Sequence, residues 1–204
     1  MKVAVLGGTG AFGSALAVRL GEAGVDVTIG SRDPDRAAAR AAELGVTGAT
    51  NTDAVAGVDL VVLSVDASAA LSTAAELADA IGETSVLSVA SQLRFENKAA
   101  LPSDDPVSLA ERAQHLLRGP VVAGLHSLAA KELAAGKAEG DALVCGDEDS
   151  AKAAAIELAS HLVSGRVLDA GPLASARALE AMTAVIVNLN RRYGGRAGLQ
   201  FVGL

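Results

Sequence analysis

The chain has 204 residues, which is enough for one well-packed domain and a modest appendage. Half of the residues are apolar, so the composition excludes a disordered chain. The formal net charge of −7 argues against a nucleic acid or an anionic membrane surface as partner, because both require a basic face. No apolar run reaches the roughly 18 residues of a membrane span, and a core strand stands where a signal peptide would, so we expect a cytoplasmic protein.

The first element is an apolar strand over 2–6, followed by a glycine-rich turn and an alanine- and leucine-rich helix over 14–23. The spacing Gly8-x-Gly10-x-x-Gly13 permits a tight turn, close approach of a pyrophosphate, and close packing of the helix on the strand. The amino terminus of the helix adds free N–H groups and the positive end of a dipole. The turn is predicted to bind a dinucleotide, although a purely structural turn is the alternative, and the predicted contacts are Gly8, Thr9, Gly10, Ala11, Phe12 and Gly13.

A second strand over 25–30 ends in Ser31 and Arg32, at the position that selects between the two nicotinamide dinucleotides. A site for NAD places a carboxylate there to accept from the ribose 2′-OH, and this strand end has none. Arg32 and Ser31 can instead donate to a 2′-phosphate, and Arg36 lies one helical turn further along. The pattern predicts NADP(H) as the cofactor; the alternative is that both arginines are solvated charges at the start of a helix.

Strands and helices continue to alternate, with helices predicted over 35–44 and 67–81 and buried strands over 59–65 and 85–90. Ligands of such sheets bind beyond the carboxyl ends of the strands. The stretches 64–68 and 88–92 are therefore predicted to line the nicotinamide half of the cofactor, with ordinary turn residues as the alternative. The contacts predicted within them are Ser64, Val65, Ser88 and Val89. The charged, proline-containing stretch 92–106 predicts an irregular excursion or a lid over the sheet edge.

The last third of the chain is predicted to supply the opposite side of the ligand site. His126 and Ser127 end a predicted strand over 120–127, and His126 can hydrogen-bond a bound ring or, as the alternative, the protein backbone. A mostly apolar helix is predicted over 174–190. Because so small a protein leaves little surface to cover this helix, we expect it to form a dimer interface, with a core helix as the alternative. The other elements predicted here are a helix over 108–117, a strand over 142–146, a helix over 150–162 and a short strand within 165–173.

Five segments, in order and spread over nearly the whole chain, resemble one enzyme family: Lys2–Gly13, Gly30–Arg32, Leu125–Ser127, Val144–Asp147 and Leu168–Leu173. The family is the NADPH-dependent reductases of the 8-hydroxy-5-deazaflavin coenzyme F-420, also called deazaflavin-dependent NADP oxidoreductases. The opening motifs are shared with many NADP enzymes, whereas the Val-Cys-Gly-Asp and Leu-Asp-Ala-Gly-Pro-Leu segments are far more particular to this family.

The resemblance implies a homodimer built on a Rossmann-type doubly wound parallel sheet with a small helical C-terminal portion. An NADP-binding domain would cover 1–125, and a smaller α/β portion with the dimerisation helix would cover 126–204. The implied reaction is hydride transfer between NADP(H) and coenzyme F-420, with His126 and Ser127 in the deazaflavin pocket as catalytic residues. The loop after the third predicted strand departs from the family, since Asp66 stands where a proline and an aromatic residue are typical.

Hydride transfer between two flat rings needs alignment at about 3–3.5 Å and exclusion of water, but no nucleophile or metal. This agrees with a sequence that has one cysteine, Cys145, and neither an HExxH motif nor a Gly-x-Ser-x-Gly elbow, so we expect no metal site and a buried, inert thiol. Two other functions remain open. One is an NADPH-dependent reductase of a small carbonyl or imine, for which Lys131 is a weak proton-donor candidate. The other is a non-enzymatic module that senses NADPH.

Overall fold

A computed structural model describes all residues, 1–204, and its centre is one eight-stranded sheet with helices on both faces. In chain order the strands are β1 (Lys2–Leu6), β2 (Asp26–Ser31), β3 (Thr47–Thr50), β4 (Leu60–Leu63), β5 (Ser85–Ser88), β6 (Leu93–Glu96), β7 (Ala99–Pro102), β8 (Val121–Gly124), β9 (Ala142–Gly146) and β10 (Val167–Asp169). The helices are α1 (Ala11–Glu22), α2 (Pro34–Leu44), α3 (Asn51–Ala54), α4 (Ala67–Ile81), α5 (Leu109–Gln114), α6 (Ala130–Ala135), α7 (Asp149–Ser160) and α8 (Ala176–Tyr193). The Rossmann-type α/β fold predicted from the sequence is confirmed.

The strand order in the sheet is β10-β9-β8-β5-β4-β1-β2-β3, and the neighbouring pairs are parallel except β8 with β9. The order reverses between β1 and β4, which is the topological switch point where ligands of open α/β sheets bind. Because β9 runs against β8, with Gly124 opposite Val144, the amino end of β9 reaches the same edge as the carboxyl ends of the parallel strands. That edge therefore gathers loops from both halves of the chain.

The core consists of two apolar layers, one on each face of the sheet. Val3 and Val5 of β1 pack in one layer with Leu16 of α1, whereas Ala4 and Leu6 face the other layer. Strands that are covered on both faces need apolar side chains at every position, which is why these strands are continuous apolar runs in the sequence. No helix is both long enough and apolar enough to cross a bilayer.

The stretch 92–106 differs from its prediction, because it contains an antiparallel hairpin of β6 and β7 instead of an irregular excursion. Its two-residue turn, Asn97 and Lys98, has φ of 48° and 66°, the left-handed geometry of a type I′ turn. The amide of Asn188 on α8 donates to the Ala100 carbonyl and accepts from the Ala100 N–H, both at 2.8 Å. The hairpin is thus fixed to α8.

The predicted division at residue 125 falls within a continuous sheet. β8 lies just before this boundary and pairs with β5 on one side and β9 on the other. The portions 1–125 and 126–204 therefore share one sheet, and their description as two separate units stays a prediction.

Glu180 on α8 is a carboxyl group in the interior, only 5% exposed. Its Oε1 accepts a hydrogen bond of 3.3 Å from the backbone N–H of Ala110, in the first turn of α5. Burial raises the pKa of Glu180 to about 7, while the backbone N–H groups of Leu109 and Ala110 oppose the shift in part. Nearby Glu111 adds to the shift and Arg112 opposes it.

The raised pKa of Glu180 predicts a pH dependence of stability. A carboxyl whose pKa is higher in the folded state favours folding at low pH, and this contribution is lost as pH rises through the folded value of about 7. Glu180→Gln keeps the acceptor but does not ionise. Its stability relative to wild type should increase by on the order of 2 kcal/mol between about pH 5.5 and about pH 8, measured by urea unfolding. A relative stability that is the same at both pH values would contradict the assignment.

Candidate functional site

The turn between β1 and α1 presses glycine backbone against the end of β4. Gly7 has φ of 83°, and a Cβ there would lie 2.6 Å from the Ser64 carbonyl oxygen. A Cβ on Gly13 would lie 2.5 Å from the Gly7 carbonyl oxygen. Gly10 is less crowded, since its nearest contact would be 3.3 Å, and it stands at the N-cap of α1 with no capping side chain. Gly8 is crowded as well, since a Cβ there would lie 2.5 Å from the Cβ of Ile29. Packing therefore requires glycine at three positions of the turn, and Gly10 is the least crowded of the four.

A cavity of about 330 Å³ lies at this turn and at the carboxyl ends of β1, β2 and β4; we call it the nucleotide cavity. It brings together eight residues that the sequence predicts to line the site: Thr9, Gly10, Ser31, Arg32, Arg36, Ser64, Val65 and Asp66. The sequence reasoning missed six further lining residues: Gly7, Gly30, Asp33, Asn51, Ala69 and Thr73. Gly8 and Gly13 are buried in the turn, and Ala11 is exposed at the first turn of α1. These three predicted contacts shape the turn and do not line the cavity.

One end of the nucleotide cavity is cationic. Arg32 and Arg36 are exposed there, and neither guanidinium takes part in an ion pair. The neighbouring carboxylate of Asp33 is occupied as the N-cap of α2, accepting from the N–H groups of Asp35 at 3.0 Å and Arg36 at 3.2 Å. The Asp33 carboxylate is thus used to cap α2, and the two guanidinium groups beside it are free to bind a doubly charged phosphate.

Asn51, the first residue of α3, faces the same cavity from the end of β3. Its Oδ1 is buried without a hydrogen-bond partner, and a Cβ on Gly30 would lie 2.8 Å from that oxygen. A buried polar atom without a partner is costly, so a donor on a bound nucleotide would be favoured here. The sequence reasoning missed Asn51 because β3 itself was not predicted.

A second cavity of about 300 Å³ adjoins the first, and we call it the cleft. The two share the residues that follow β4, Ser64, Val65 and Asp66. The other walls of the cleft come from α1, the start of α4, the loop after β5, the start of β6, the turn after β8, and α8. The residues are Phe12, Ala67, Val89, Ala90, Ser91, Leu93, Leu125, His126, Leu128 and Thr183. Phe12 and Val89, predicted as cofactor contacts, thus lie in the cleft.

His126 lies in the cleft wall with an exposed fraction of only 5%. Neither ring nitrogen has a hydrogen-bond partner within the protein. Burial lowers the pKa of His126 to about 4, an effect that the Ala90 backbone opposes only in part, so the imidazole is neutral near pH 7. The preceding residue, Leu125, holds a left-handed φ of 66°. The neutral imidazole is therefore buried in the cleft wall, close to the Ala90 backbone, with neither ring nitrogen in a well-formed hydrogen bond.

Several predicted residues lie outside the two cavities. The Ser127 hydroxyl is buried and donates to the Asp141 carbonyl at 3.4 Å, and Ser88 is buried to 1% exposure. Neither lines the cleft. Lys131 is exposed on α6 and is also absent from the cleft wall. Cys145 is buried as predicted, and this burial raises the pKa of its thiol to about 12. No group of three or more His, Cys, Asp or Glu side chains could hold a metal ion.

The fold and the two adjoining cavities define a Rossmann-type α/β protein with a dinucleotide-sized site at the carboxyl edge of its sheet. The family model "NADP oxidoreductase coenzyme F420-dependent" matches residues 2–92. The F420-dependent NADP reductase of Methanothermobacter thermautotrophicus is 33% identical over an alignment covering 100% of this chain and 96% of that protein. The chain therefore belongs to the F420-dependent NADP reductase family.

Two other similarities extend over the full length. The F420-dependent NADP reductase of Methanocaldococcus jannaschii is 32% identical, and the alignment covers 100% of this chain and 99% of that protein. The crystal structure of a candidate F420-dependent NADP reductase from Arthrobacter sp. FB24 superimposes with a TM-score of 0.83 at 28% identity, covering 100% of this chain and 99% of that one. Both similarities include the C-terminal third of the chain, which contains the Val144–Asp147 and Leu168–Leu173 segments.

Proposed function

We propose that this protein transfers a hydride between NADP(H) and the deazaflavin coenzyme F-420. Family membership supports this function, since relatives named F420-dependent NADP reductases match the whole chain. The structural observation that carries the proposal is the junction of the two cavities along 64–66. A dinucleotide anchored in the nucleotide cavity can extend its nicotinamide end over this junction, where a second flat ring bound in the cleft would meet it.

The nucleotide cavity fits NADP(H) on observations of this structure. Gly10 stands at the amino end of α1 without a capping side chain, where the dipole and free N–H groups favour a pyrophosphate. Arg32 and Arg36 lie at the cationic end of the nucleotide cavity and form no ion pairs. They would hold the 2′-phosphate, with Ser31 as a further donor. The residues that would hold the cofactor therefore supply charge complementarity and orientation.

The cleft fits a second flat heterocycle. Small side chains such as Ala67, Ala90 and Ser91 form part of its wall, which permits close approach of one ring to another. The bound coenzymes supply the redox chemistry, namely a hydride donor and a hydride acceptor. The chain aligns the rings, excludes water with the apolar side chains of the cleft, and offers the neutral imidazole of His126 as an orienting hydrogen-bond partner.

Turnover with purified protein tests the function directly. We expect NADPH and the oxidised deazaflavin together to give loss of the deazaflavin absorbance. A reductase of a carbonyl or imine would instead oxidise NADPH with such a compound and leave the deazaflavin unchanged. A sensing module would bind NADPH and give no turnover with any acceptor.

His126→Ala is expected to weaken deazaflavin binding about tenfold and to slow transfer, because the bound ring loses an orienting hydrogen bond. NADPH affinity should stay within about twofold of wild type, since His126 does not line the nucleotide cavity. His115→Ala is the matched control, because His115 is exposed at the end of α5. An unchanged deazaflavin affinity and rate in His126→Ala would remove this residue from the site.

The homodimer is part of the same proposal and is supported by one face of α8. Positions spaced by three and four residues place apolar side chains in a stripe of Ala178, Met182, Val185, Leu189 and Tyr193. Val185 is 57% exposed, Leu189 41% and Tyr193 74%. A stripe of exposed apolar side chains on one helix is costly in a monomer, so we assign it to contact with a second copy of the chain.

Leu189→Glu should convert the dimer to a monomer in light scattering coupled to size-exclusion chromatography, because a buried unpaired charge opposes association. Leu116→Glu is the control, since Leu116 has the same 41% exposure as Leu189 but lies next to α5. A wild-type protein that is monomeric at all concentrations, or a dimer unaffected by Leu189→Glu, would contradict this interface.

A further inference from the structure

Three polar groups in the cleft wall form a chain of hydrogen bonds that links three separate elements. Ser91 follows β5, Thr183 lies in the middle of α8, and His126 follows β8. The Ser91 and Thr183 hydroxyl oxygens are 2.7 Å apart, and the Thr183 hydroxyl donates to the His126 carbonyl at 3.0 Å. All three residues line the cleft. Parts of the chain that are far apart in sequence are therefore joined beside the proposed binding position of the second ring.

The direction of this chain follows from the number of protons. A hydroxyl group has one proton to donate and two lone pairs to accept with. The proton of Thr183 is used by the His126 carbonyl, so the short contact between the two hydroxyls must be donated by Ser91. The Ser91 hydroxyl proton is then used in the bond to Thr183, so toward the cleft the Ser91 oxygen can only accept a hydrogen bond.

We propose that Ser91 is a binding residue that accepts a hydrogen bond from an amide-type N–H of the heterocycle bound in the cleft, and that Thr183 is the positioning residue that enforces this polarity. The chemistry is that of a planar ring bearing an imide or carboxamide N–H. Both the ring imide of a deazaflavin and the carboxamide of nicotinamide have it. This inference rests on the proposed function for the presence of such rings in the cleft.

The same chain of hydrogen bonds also stabilises the turn after β8. Leu125 holds a left-handed φ of 66°, which is unfavourable for a branched side chain and must be stabilised by its surroundings. The hydrogen bond from Thr183 fixes the carbonyl of the next residue, His126, and so ties this turn to α8. Ser91 and His126 are thereby held in a fixed arrangement in the wall of the cleft.

Calorimetric titration of NADPH and of the oxidised deazaflavin separately tests the assignment on wild type, Ser91→Ala, Thr183→Val and Thr183→Ser. Ser91→Ala removes the acceptor and should weaken one of the two ligands by about tenfold while leaving the other within about twofold. Thr183→Val leaves the Ser91 proton without its partner, so the acceptor is no longer fixed toward the ligand, and the same ligand should be weakened, by up to as much as in Ser91→Ala. Thr183→Ser keeps the hydroxyl and should restore wild-type affinity. Thermal unfolding of each variant shows whether the fold is retained.

The affected ligand identifies the donor. Weakened deazaflavin binding points to the ring imide, whereas weakened NADPH binding points to the carboxamide. In the second case the 3-acetylpyridine analogue of NADPH, which lacks the N–H, should bind wild type and Ser91→Ala equally well. The proposal is contradicted if Ser91→Ala keeps wild-type affinity for both ligands. It is also contradicted if Thr183→Ser loses as much affinity as Thr183→Val, since altered packing of the side chain would then explain both losses. A wild-type protein that binds no deazaflavin would refute the proposed function alone, and the NADPH titrations would still decide the role of Ser91.

Discussion

Arg32→Ala is expected to weaken NADPH binding by about tenfold to a hundredfold and to leave NADH binding within about twofold of wild type. The guanidinium of Arg32 is exposed at the cationic end of the nucleotide cavity and has no ion-pair partner to lose. Its charge-assisted hydrogen bonds are available only to a ligand that carries the 2′-phosphate. The effect should therefore be confined to the phosphorylated cofactor and is measured by titrating both dinucleotides.

Arg118→Ala provides the matched control, because Arg118 is also an exposed arginine but lines a different cavity from the nucleotide cavity. It should leave both affinities unchanged. Equal losses for NADPH and NADH in Arg32→Ala would show that this residue does not read the 2′-phosphate.

Alanine substitutions at two glycines of the first turn should separate folding from binding. Gly7→Ala introduces a Cβ at a φ of 83° and 2.6 Å from the Ser64 carbonyl oxygen, so it should destabilise the fold by about 3 kcal/mol or more. Gly10→Ala places its Cβ 3.3 Å from the Gly7 carbonyl oxygen, a tight contact that a shift of a few tenths of an ångström relieves, at a φ of −82° that alanine adopts freely. It should destabilise the fold far less than Gly7→Ala yet weaken NADPH binding by on the order of a hundredfold, because its Cβ occupies the approach of the pyrophosphate.

Urea unfolding and NADPH titration of both variants check this contrast. A stable Gly7→Ala would show that the turn has more space than the structure gives it. A Gly10→Ala protein with unchanged NADPH affinity would place the pyrophosphate elsewhere.

The sequence predicts the parallel sheet and the nucleotide-binding end of the site because both depend on local patterns. Strands covered on both faces are continuous apolar runs, and the glycine spacing and Arg32 stand next to the strands that they follow. The hairpin of β6 and β7 was missed because its turn, Asn97-Lys98, contains no glycine or proline. β3 was missed because its four residues, Thr47–Thr50, lack an apolar pattern at the sheet edge.

The cleft was harder to predict because its walls come from distant parts of the chain. Thr183 looks in the sequence like one more position of an apolar helix, and only packing of α8 near the turn after β8 brings it to His126. Ser127 illustrates the converse. It is adjacent to His126 in sequence, but the chain turns at Leu125, and its hydroxyl is directed to the Asp141 carbonyl. Side-chain direction at such a turn depends on a backbone conformation that residue types do not reveal.

The most direct test of the account is to follow the hydride itself. NADPH that carries deuterium at C4 on one face or the other is mixed with the protein and the oxidised deazaflavin, and the reduced deazaflavin is analysed by mass spectrometry. If the two rings meet face to face with water excluded, as we propose, one of the two labelled forms should deliver its deuterium to the product and the other should not. A reduced product that carries no deuterium from either form would contradict direct transfer, and the absence of any reduction would contradict the function itself.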